Sequence, residues 1–409
     1  MNLLFIGGNF SGKMEPDILY QSKGLVHYAA NKLQWNMIDG LDAVPGVELE
    51  ILSAPFIGTF PKDHKKLFIA GNSELYKRRR KSTYIAFCNL WGYRNISRKR
   101  SLISKVREFV ALKSEKKVIL VYSPHTPFLQ AAVYAKLIDP EIHICLVVPD
   151  LPQYMNLTDN ISPVYKFFKN IDIKVFQKNS IYIDSYVLLT ESMKEIMGVA
   201  ERPYIVVEGM VELPDEETSM EMTESVGYTV VYTGTLHKKF GVLNLIEAFA
   251  EIKNPDVSLE IYGKGDSEPL IKEYAKKDKR IHYFGQVSNE ESKTIQKRAS
   301  ILVNPRQEND EYTKYSFPSK NLEYLSSGVP VIAYRLKGIP DEYGDYINYV
   351  EDDSIESLKK KLEEFLEIGH DERKVIGEKA KAFVTDQKNN ILQSRRIVNM
   401  INKHLGESM

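Results

Sequence analysis

The sequence has only two cysteines, Cys88 and Cys145, among its 409 residues. Two cysteines provide neither a disulfide framework nor a metal-ligand set, so a reducing, cytoplasmic setting is expected. No run reaches the roughly 18 apolar residues that a membrane span needs. The start, Met1–Gly8, also lacks the basic segment of a signal peptide and instead predicts a first β-strand.

The chain also lacks net charge, because 55 basic residues balance 55 acidic ones. The charge is nevertheless uneven: Pro61–Arg107 holds fourteen Lys or Arg against two acids, with aromatic residues between them. The segment is either a solvated helical face or a surface for anions, such as a membrane leaflet or a diphosphate-linked acceptor. Nucleic acid is the weaker interpretation because no recognition module accompanies the segment.

The chain length fits two domains, and short apolar runs alternate with helical patterns, which predicts parallel α/β layers. The acidic, polar segment Val211–Gly227 is typical of a linker. The predicted strands are Asn2–Gly7, Glu48–Leu52, Lys117–Tyr122, His143–Val148, Ser185–Leu189, Tyr204–Glu208, Tyr228–Thr233, Ser258–Tyr262, Ile281–Phe284, Ser300–Asn304 and Val329–Ala333. Helices are expected at Val242–Ile252, Pro269–Lys277 and in the tail Ala380–His404.

Three loops at predicted strand ends have the composition of a ligand site. Gly234–Gly241 precedes a helix, so its glycines, the free N–H groups and the neighbouring lysines suit a phosphate; a surface turn with solvated lysines remains the alternative. A Gly-x-Gly turn follows the next strand, and a Gly-Gln-Val segment that could face a nucleobase follows the third. The candidate residues are Gly234, Thr235, Lys238, Lys239, Gly263, Gly265, Gln286 and Val287.

The most informative run is Val303–Ile332. Pro318 suits the first turn of a helix, where Ser319 and Lys320 would offer N–H groups to a diphosphate. About one turn later, Glu323 lies along the same general face and could accept both hydroxyls of a ribose. A surface salt bridge is the alternative interpretation of Glu323.

These blocks resemble the C-terminal half of GT-B glycosyltransferases, in particular the large retaining family numbered four (glycosyl transferases group 1). That family has a Glu-x7-Glu motif followed by Gly-x-Pro-Val-Ile, and its second Glu matches Glu323, five residues before Gly328. The resemblance covers about Tyr228 to Val350. In the first half, Lys23-Gly24, Ala30–Asn36, Val148–Pro152 and Leu189–Met193 suggest a branch that makes surface or capsular polysaccharides.

Three positions depart from the family pattern. Tyr315 stands where the family has the first Glu of its motif, which holds donor-sugar hydroxyls. Thr235 replaces an Arg, and Phe240 replaces a Lys. Charge could be recovered from Lys238, Lys239, Arg306 or Lys320, whereas the change at Tyr315 leaves the donor sugar open.

The N-terminal half would complete the site. Gly7-Gly8 ends the first strand, so Gly8 should let a loop reach the acceptor. His125 follows a strand where the resemblance implies residues around the donor sugar, although a lone loop histidine is more often a bystander. Asp150 lies in a Pro-Asp-Leu-Pro turn and either binds an acceptor hydroxyl or holds the turn.

Two other classes of nucleotide-binding protein are weaker interpretations of the sequence. Gly7–Lys13 has the spacing of a nucleoside triphosphatase loop, but Met14 stands where Mg²⁺ needs Ser or Thr, and Glu15-Pro16 should stop the following helix. A nicotinamide dehydrogenase lacks its glycine fingerprint here. A GT-B protein that binds a nucleotide sugar without transferring it remains a third alternative because of Tyr315.

The sequence therefore predicts an α/β protein of the GT-B fold, with two Rossmann-like doubly wound domains facing each other across a cleft. An acceptor domain is expected at 1–213, with a helix at 386–409 packing back on it, and a donor domain at 214–385. The expected function is sugar transfer with retention from a nucleotide-diphosphate sugar to a saccharide or lipid-linked saccharide, with no metal cofactor. The expected catalytic residues are His125, Lys239, Arg306 and Glu323.

Overall fold

The computed structural model describes residues 1–24, 26–76, 80–114, 116–151, 163–213, 227–308 and 311–406. The chain divides into two compact units, one comprising Met1–Met210 with Asn390–Met409 and the other Val211–Asn389. Most of the predicted linker Val211–Gly227, and residues 77–79 of the basic segment, lie outside the described residues.

The N-terminal unit is built on an eight-stranded sheet with the order β10-β9-β8-β7-β1-β2-β5-β4, and β3 pairs with β6 separately. All neighbours in the large sheet are parallel except the antiparallel pair β4–β5. The strands are β1 (Asn2–Gly7), β2 (Glu48–Ser53), β3 (Phe68–Ile69), β4 (Asn72–Tyr76), β5 (Arg80–Tyr84), β6 (Phe87–Cys88), β7 (Lys117–Tyr122), β8 (His143–Val148), β9 (Ser185–Leu188) and β10 (Tyr204–Val206).

The C-terminal unit is built on a six-stranded parallel sheet with the order β13-β12-β11-β14-β15-β16. This is the 3-2-1-4-5-6 order of a Rossmann domain, in which ligands bind beyond the carboxyl ends of the strands where the order reverses. The reversal falls at β11, between β12 and β14. The strands are β11 (Tyr228–Thr233), β12 (Val257–Tyr262), β13 (Ile281–Gly285), β14 (Ile301–Asn304), β15 (Val331–Ala333) and β16 (Asn348–Tyr349).

Helices lie between the strands of both units and supply the apolar faces of two separate cores. No helix among the described residues has the length and apolar character needed to span a bilayer. In chain order the helices are α1 (Glu15–Gln21), α2 (Tyr28–Asp42), α3 (Arg94–Val110), α4 (Thr126–Ile138), α5 (Pro163–Ser180), α6 (Met193–Ile196), α7 (Val242–Ala250), α8 (Glu268–Lys277), α9 (Asn289–Arg298), α10 (Ser319–Leu325), α11 (Ile355–Glu367), α12 (His370–Gln387) and α13 (Asn390–His404).

The closing helix α13 belongs to the N-terminal unit, where it packs against α2. The contact is close at Gly40, because an added Cβ there would overlap the backbone carbonyl of Asn390 and the side chain of Ser394. Ile397 and Ile401 lie in the same apolar core as β1 and β7. The last helix is therefore part of this unit's core.

Several expectations are corrected by the structure. Pro318 precedes α10 as its N-cap and does not lie in its first turn. The Glu15-Pro16 pair begins α1 instead of stopping a helix, because proline is tolerated at the start of one. The described part of the basic segment is not a single solvated helical face: β4 and β5 pair as antiparallel strands, and Arg98 of α3 is buried.

Candidate functional site

The two glycine loops of the C-terminal unit pack backbone against backbone. The amide of Gly234 donates to the carbonyl of Tyr262 over 2.9 Å. Gly263 has φ of 142°, and an added Cβ there would overlap the carbonyl of Gly234. Gly265 is similarly close to the carbonyl of Leu236. These glycines are thus required by the contact between the loops after β11 and β12, which brings the two strand ends together.

A 3-10 turn at Lys238–Phe240 follows the first loop, with Thr235 exposed just before it. The amide of Lys238 donates to Oδ1 of Asp266 (3.1 Å), and Nε2 of His237 lies 3.4 Å from Oδ2 of the same carboxylate. Sequence reasoning expected positive charge here from Lys238 and Lys239 and missed Asp266. Its position after the Gly-x-Gly turn gave no signal that the two loops would meet.

Arg306 lies beside the start of α7. Gly241, the N-cap of that helix, has φ of 75°, and a Cβ on it would overlap the carbonyl of Pro305. The guanidinium carbon of Arg306 is 5.5 Å from the ring centroid of Phe240. The end of β14 and the beginning of α7 are therefore adjacent, as expected for strand ends that share one edge of a parallel sheet.

Two aromatic rings lie near the Arg306 guanidinium. The ring of Tyr312 lies 5.3 Å from the guanidinium carbon, similar to the distance of Phe240. Nη2 donates to Oγ of Ser316 over 3.0 Å, while Nε is buried and has no hydrogen-bond partner among the described residues. Phe240, which replaces a family lysine, thus supports a cation contributed by another strand end.

Glu323 is held in place by two donors. Its Oε1 accepts from Nε2 of Gln296 over 2.6 Å and from Nζ of Lys320 over 3.0 Å. Gln296 is 1% exposed and also donates to the hydroxyls of Thr233 and Ser292. Sequence reasoning missed Gln296, because its spacing from Glu323 carries no signal that α9 would lie beside α10.

The remaining candidates of the motif region have mixed exposure. Ser319 and Lys320 form the first turn of α10. Tyr315 ends a 3-10 turn and is 8% exposed, with Nζ of Lys314 4.8 Å from its ring centroid. A buried phenol ring at this position does not offer the two acceptor oxygens of the carboxylate in the family pattern.

The Gln286–Val287 segment follows β13 and is at least partly exposed. It is preceded by Gly285, whose φ of 79° turns the chain and whose carbonyl accepts from the amide of Gly263 over 2.7 Å. The structure thus brings the ends of β11, β12 and β13 to one edge of the C-terminal sheet.

In the N-terminal unit, polar side chains of α2 fix the loop after β1. Gln34 Oε1 accepts from the amide of Gly8 (2.7 Å), and Asn31 Oδ1 accepts from the amide of Phe10 (2.9 Å). Trp35 Nε1 donates to the carbonyl of Phe10 over 2.8 Å. The Ala30–Asn36 motif therefore holds this loop, a role that sequence reasoning did not assign.

This arrangement disagrees with the nucleoside triphosphatase alternative. A phosphate loop needs its amides directed at a ligand, but those of Gly8 and Phe10 already donate to side chains of α2. Lys13 is largely exposed and lies 4.0 Å from Glu74. A Cβ on Gly8 would overlap the ring of Phe56, so packing accounts for this glycine.

His125 is the N-cap of α4 and is half-buried. Its Nε2 lies 3.4 Å from Nη1 of Arg98, and its ring packs edge-on against Phe128. Burial, with the positive charges of Arg98 and Arg94, holds the pKa of His125 well below its ordinary value. Asp150 is exposed after β8. Among the described residues no group of three His, Cys, Asp or Glu side chains could hold a metal ion.

Residues 222–383 match the model of the family described as Glycosyl transferases group 1. The matched residues all lie within the range of the C-terminal unit, in agreement with the coarser part of the resemblance. No curated protein sequence matches the chain significantly.

Solved structures resemble the whole chain at low sequence identity. Sucrose-phosphate synthase from Thermosynechococcus elongatus is 13% identical, with a TM-score of 0.62 and 100% of both chains covered. A glycosyltransferase from Rickettsia africae ESF-5 is 16% identical, with a TM-score of 0.61, over 100% of this chain and 99% of that one. Anabaena HepE in complex with UDP is 12% identical, with a TM-score of 0.60, over 98% and 100%. The fold is GT-B, with two Rossmann-like domains, and the predicted fold class is confirmed.

Proposed function

We propose that the protein is a glycosyltransferase that moves a sugar from a nucleotide-diphosphate donor to a saccharide or lipid-linked saccharide. The observation that carries the proposal is a cation and a carboxylate, Arg306 and Glu323, within the glycosyltransferase group 1 domain. They follow β14 in the sheet whose strand ends carry the glycine loops.

Each part of a nucleotide donor has a chemical partner in this unit. Arg306, whose Nε has no partner in the described part of the chain and which has two rings beside it, suits the diphosphate. Glu323 accepts two hydrogen bonds on Oε1, and an ionised carboxylate has acceptor capacity for ribose hydroxyls as well. Backbone groups of Gln286 and Val287 would face the base. Lys238, Lys239, Ser319 and Lys320 would add to the diphosphate site.

Catalysis in this proposal consists mainly of stabilising the departing diphosphate. Fixed cations aimed at developing negative charge lower the barrier without reorganising, and Arg306 is held in place by Ser316, Phe240 and Tyr312. No metal is needed for such leaving-group stabilisation. Retention of configuration, with the donor phosphate as base, is the finer part of the proposal and rests on the family resemblance.

His125 belongs to the proposal as a hydrogen-bonding group. Because its pKa is held well below the ordinary value, the ring is neutral near pH 7 and does not supply a proton as an imidazolium would. A neutral imidazole can still orient a hydroxyl or an anionic oxygen. Gly8 and Asp150 remain candidates for acceptor contacts.

We also propose that Pro61–Arg107 contacts an anionic membrane face from the cytoplasm, where a lipid-linked acceptor of polysaccharide synthesis would be presented. Large apolar side chains are exposed there, including Phe68 (70%), Trp91 (51%) and Ile96 (47%). Exposed Arg100 and other basic residues accompany them. Binding to vesicles with anionic lipid should fall sharply with salt; absent or salt-insensitive binding would contradict the proposal.

The donor site is tested by thermal shift with UDP, GDP, ADP, CMP and their sugar conjugates. A ligand that binds only the folded state must raise the melting temperature. UDP is tried first because Anabaena HepE is solved with it. One nucleotide should stabilise the wild type and fail to stabilise Glu323→Ala, while the control Glu367→Ala, at an exposed position of the same unit, keeps the shift.

The outcomes separate an enzyme from a binding protein. No shift with any nucleotide would contradict the donor site. A shift without release of nucleoside diphosphate from any sugar conjugate, with or without saccharide acceptors, would favour a non-catalytic nucleotide-sugar binder, the alternative raised by Tyr315.

A further inference from the structure

Two arginines of α3, Arg94 and Arg98, point inward one helical turn apart. Arg94 Nη1 donates to the carbonyl of Ile57 over 2.9 Å, and Arg98 Nη2 donates to the carbonyl of Pro55 over 2.6 Å. The guanidinium of Arg98 also lies over the ring of Phe87, 4.5 Å from its centroid. Both positive charges are thus brought to the segment after β2.

These charges are poorly compensated. Arg98 is 1% exposed, its Nε has no hydrogen-bond partner, and no carboxylate is paired with it among the described residues. Burial lowers the pKa of Arg94 and Asp63 opposes this effect, whereas burial and the charge of Arg94 together lower the pKa of Arg98 well below its ordinary value. A buried charge without a counterion is costly, so an anion bound beside the pair would be stabilised strongly.

The contact between Arg98 and His125 fixes the histidine tautomer. A guanidinium can only donate, so Nε2 of His125 must accept from Nη1 over 3.4 Å. The ring proton is then on Nδ1, which makes His125 a neutral hydrogen-bond donor. His125 is half-buried, with Phe56 and Phe128 packed against its ring.

The same histidine is the N-cap of α4, a helix of 13 residues. Two residues before it, Ser123 has φ of 75°, and its buried Oγ has no hydrogen-bond partner among the described residues. A helix N-terminus favours anions through its dipole and free amides, here that of Thr126. Asp172 on α5 accepts a hydrogen bond from the side chain of Thr126, and burial raises the pKa of this carboxyl.

We propose that the N-terminal unit binds a phosphate group of the glycosyl acceptor at this place, through Arg94, His125 and the amide of Thr126. Arg98 holds His125 in place, and its positive charge offsets part of the negative charge of the phosphate. The description of the ligand as an acceptor rests on the proposed function, whereas the anion site itself does not. The acceptor is then a sugar phosphate or a lipid-diphosphate saccharide.

The 409-residue protein with ¹⁵N-labelled histidine tests the site, using inorganic phosphate and pyrophosphate as probes. The His125 ring signals are identified by their loss in His125→Gln, and without ligand they should show the neutral Nδ1–H tautomer. Phosphate should shift them saturably, with Kd in the millimolar range or below. Arg94→Met should weaken this binding about tenfold or more, because a charge-assisted hydrogen bond is lost.

Arg395→Met, at an exposed position of α13 in the same unit, is the matched control and should bind phosphate like the wild type. Arg98→Lys should keep phosphate binding largely intact but alter the tautomer signature. Absence of a saturable shift, or equal affinity in Arg94→Met, would overturn the site.

A UDP titration separates the two sources of phosphate. If UDP moves the His125 signals while neither phosphate nor pyrophosphate does, the group belongs to the donor and the acceptor assignment is wrong. Phosphate binding at His125 without any nucleotide binding would retain the anion site and contradict the proposed transferase. Loss of nucleotide stabilisation in Glu323→Ala, with the His125 response intact, would support both.

Discussion

At the scale of single residues, Arg306 shows how the chain departs from the family pattern that it resembles. The cations expected near the first glycine loop are replaced by Thr235 and Phe240. Arg306 instead approaches from the end of β14, with its guanidinium near the rings of Phe240 and Tyr312. Phe240, which stands near the end of β11 in place of a cation, therefore contacts a cation supplied from the end of β14.

This arrangement predicts different costs for two substitutions. Arg306→Met removes the charge and should lower nucleoside-diphosphate affinity about tenfold to a hundredfold. Arg306→Lys keeps the charge but loses the planar guanidinium, so its affinity should lie between those of the wild type and Arg306→Met. Isothermal titration with the stabilising nucleotide measures both. Arg335→Met, an exposed arginine of the same unit, is the control; unchanged affinity in Arg306→Met would remove Arg306 from the site.

The sequence indicated residues that lie within continuous motifs but not those that act across the fold. Glu323 was identified because a helix with Gly-x-Pro-Val-Ile beyond it is a local pattern. Gln296, Asp266 and Arg98 were missed, because each reaches its partner only when two loops or helices far apart in sequence meet. Contacts of this kind leave no recognisable spacing of residues in the sequence.

At the scale of elements, buried parallel strands were the most predictable parts. β1, β7, β8 and β11 have the predicted bounds, because strands covered on both faces consist of continuous apolar runs. The antiparallel pair β4–β5 was not predicted, since it lies at the sheet edge and its second strand reads Arg-Lys-Ser-Thr-Tyr. Edge strands often carry charge, which hides them from a hydrophobic pattern.

The docking of α13 on α2 gives a prediction at the same scale. Gly40→Ala should ordinarily stabilise a helix slightly, but here the new Cβ would overlap the Asn390 carbonyl, so a loss of about 1–3 kcal/mol is expected. Urea unfolding followed by tryptophan fluorescence reports it, because both tryptophans, Trp35 and Trp91, lie in this unit.

Gly12→Ala is the matched control for Gly40→Ala, since a Cβ at Gly12 would meet nothing within 4 Å. It should leave the unfolding midpoint nearly unchanged. Limited proteolysis should also release the C-terminal helix faster in Gly40→Ala than in the wild type. A stabilised Gly40→Ala protein would show that α13 does not pack against this glycine.

At the scale of the whole molecule, buried neutral histidines make the N-terminal unit sensitive to acid. His143 is 3% exposed, and its Nε2 lies 2.8 Å from Oγ of Ser185. Burial lowers the pKa of His143 to about 4, with further lowering by His404 and Lys136 and an opposing effect of Asp184. The pKa of His125 is lowered as well.

The direction of the pH effect follows from these lowered values. The unfolded chain binds a proton at the ordinary histidine pKa near 6.5, whereas folded His143 resists protonation until about pH 4. Stability is therefore fully present above pH 6.5 and declines as the pH falls toward 4, by up to about 3 kcal/mol for this one residue. Urea midpoints from tryptophan fluorescence between pH 7.5 and 4 should fall accordingly.

Replacing the titrating group separates its contribution from general acid effects. His143→Gln can keep a hydrogen bond to Ser185 but cannot bind the proton, so its stability should fall less steeply between pH 6.5 and 4 than that of the wild type. His282→Gln, at an exposed position of the other unit, should leave the steep decline unchanged. Parallel pH profiles for wild type and His143→Gln would mean that His143 titrates alike in the folded and unfolded chains, and that other groups govern the acid lability of the fold.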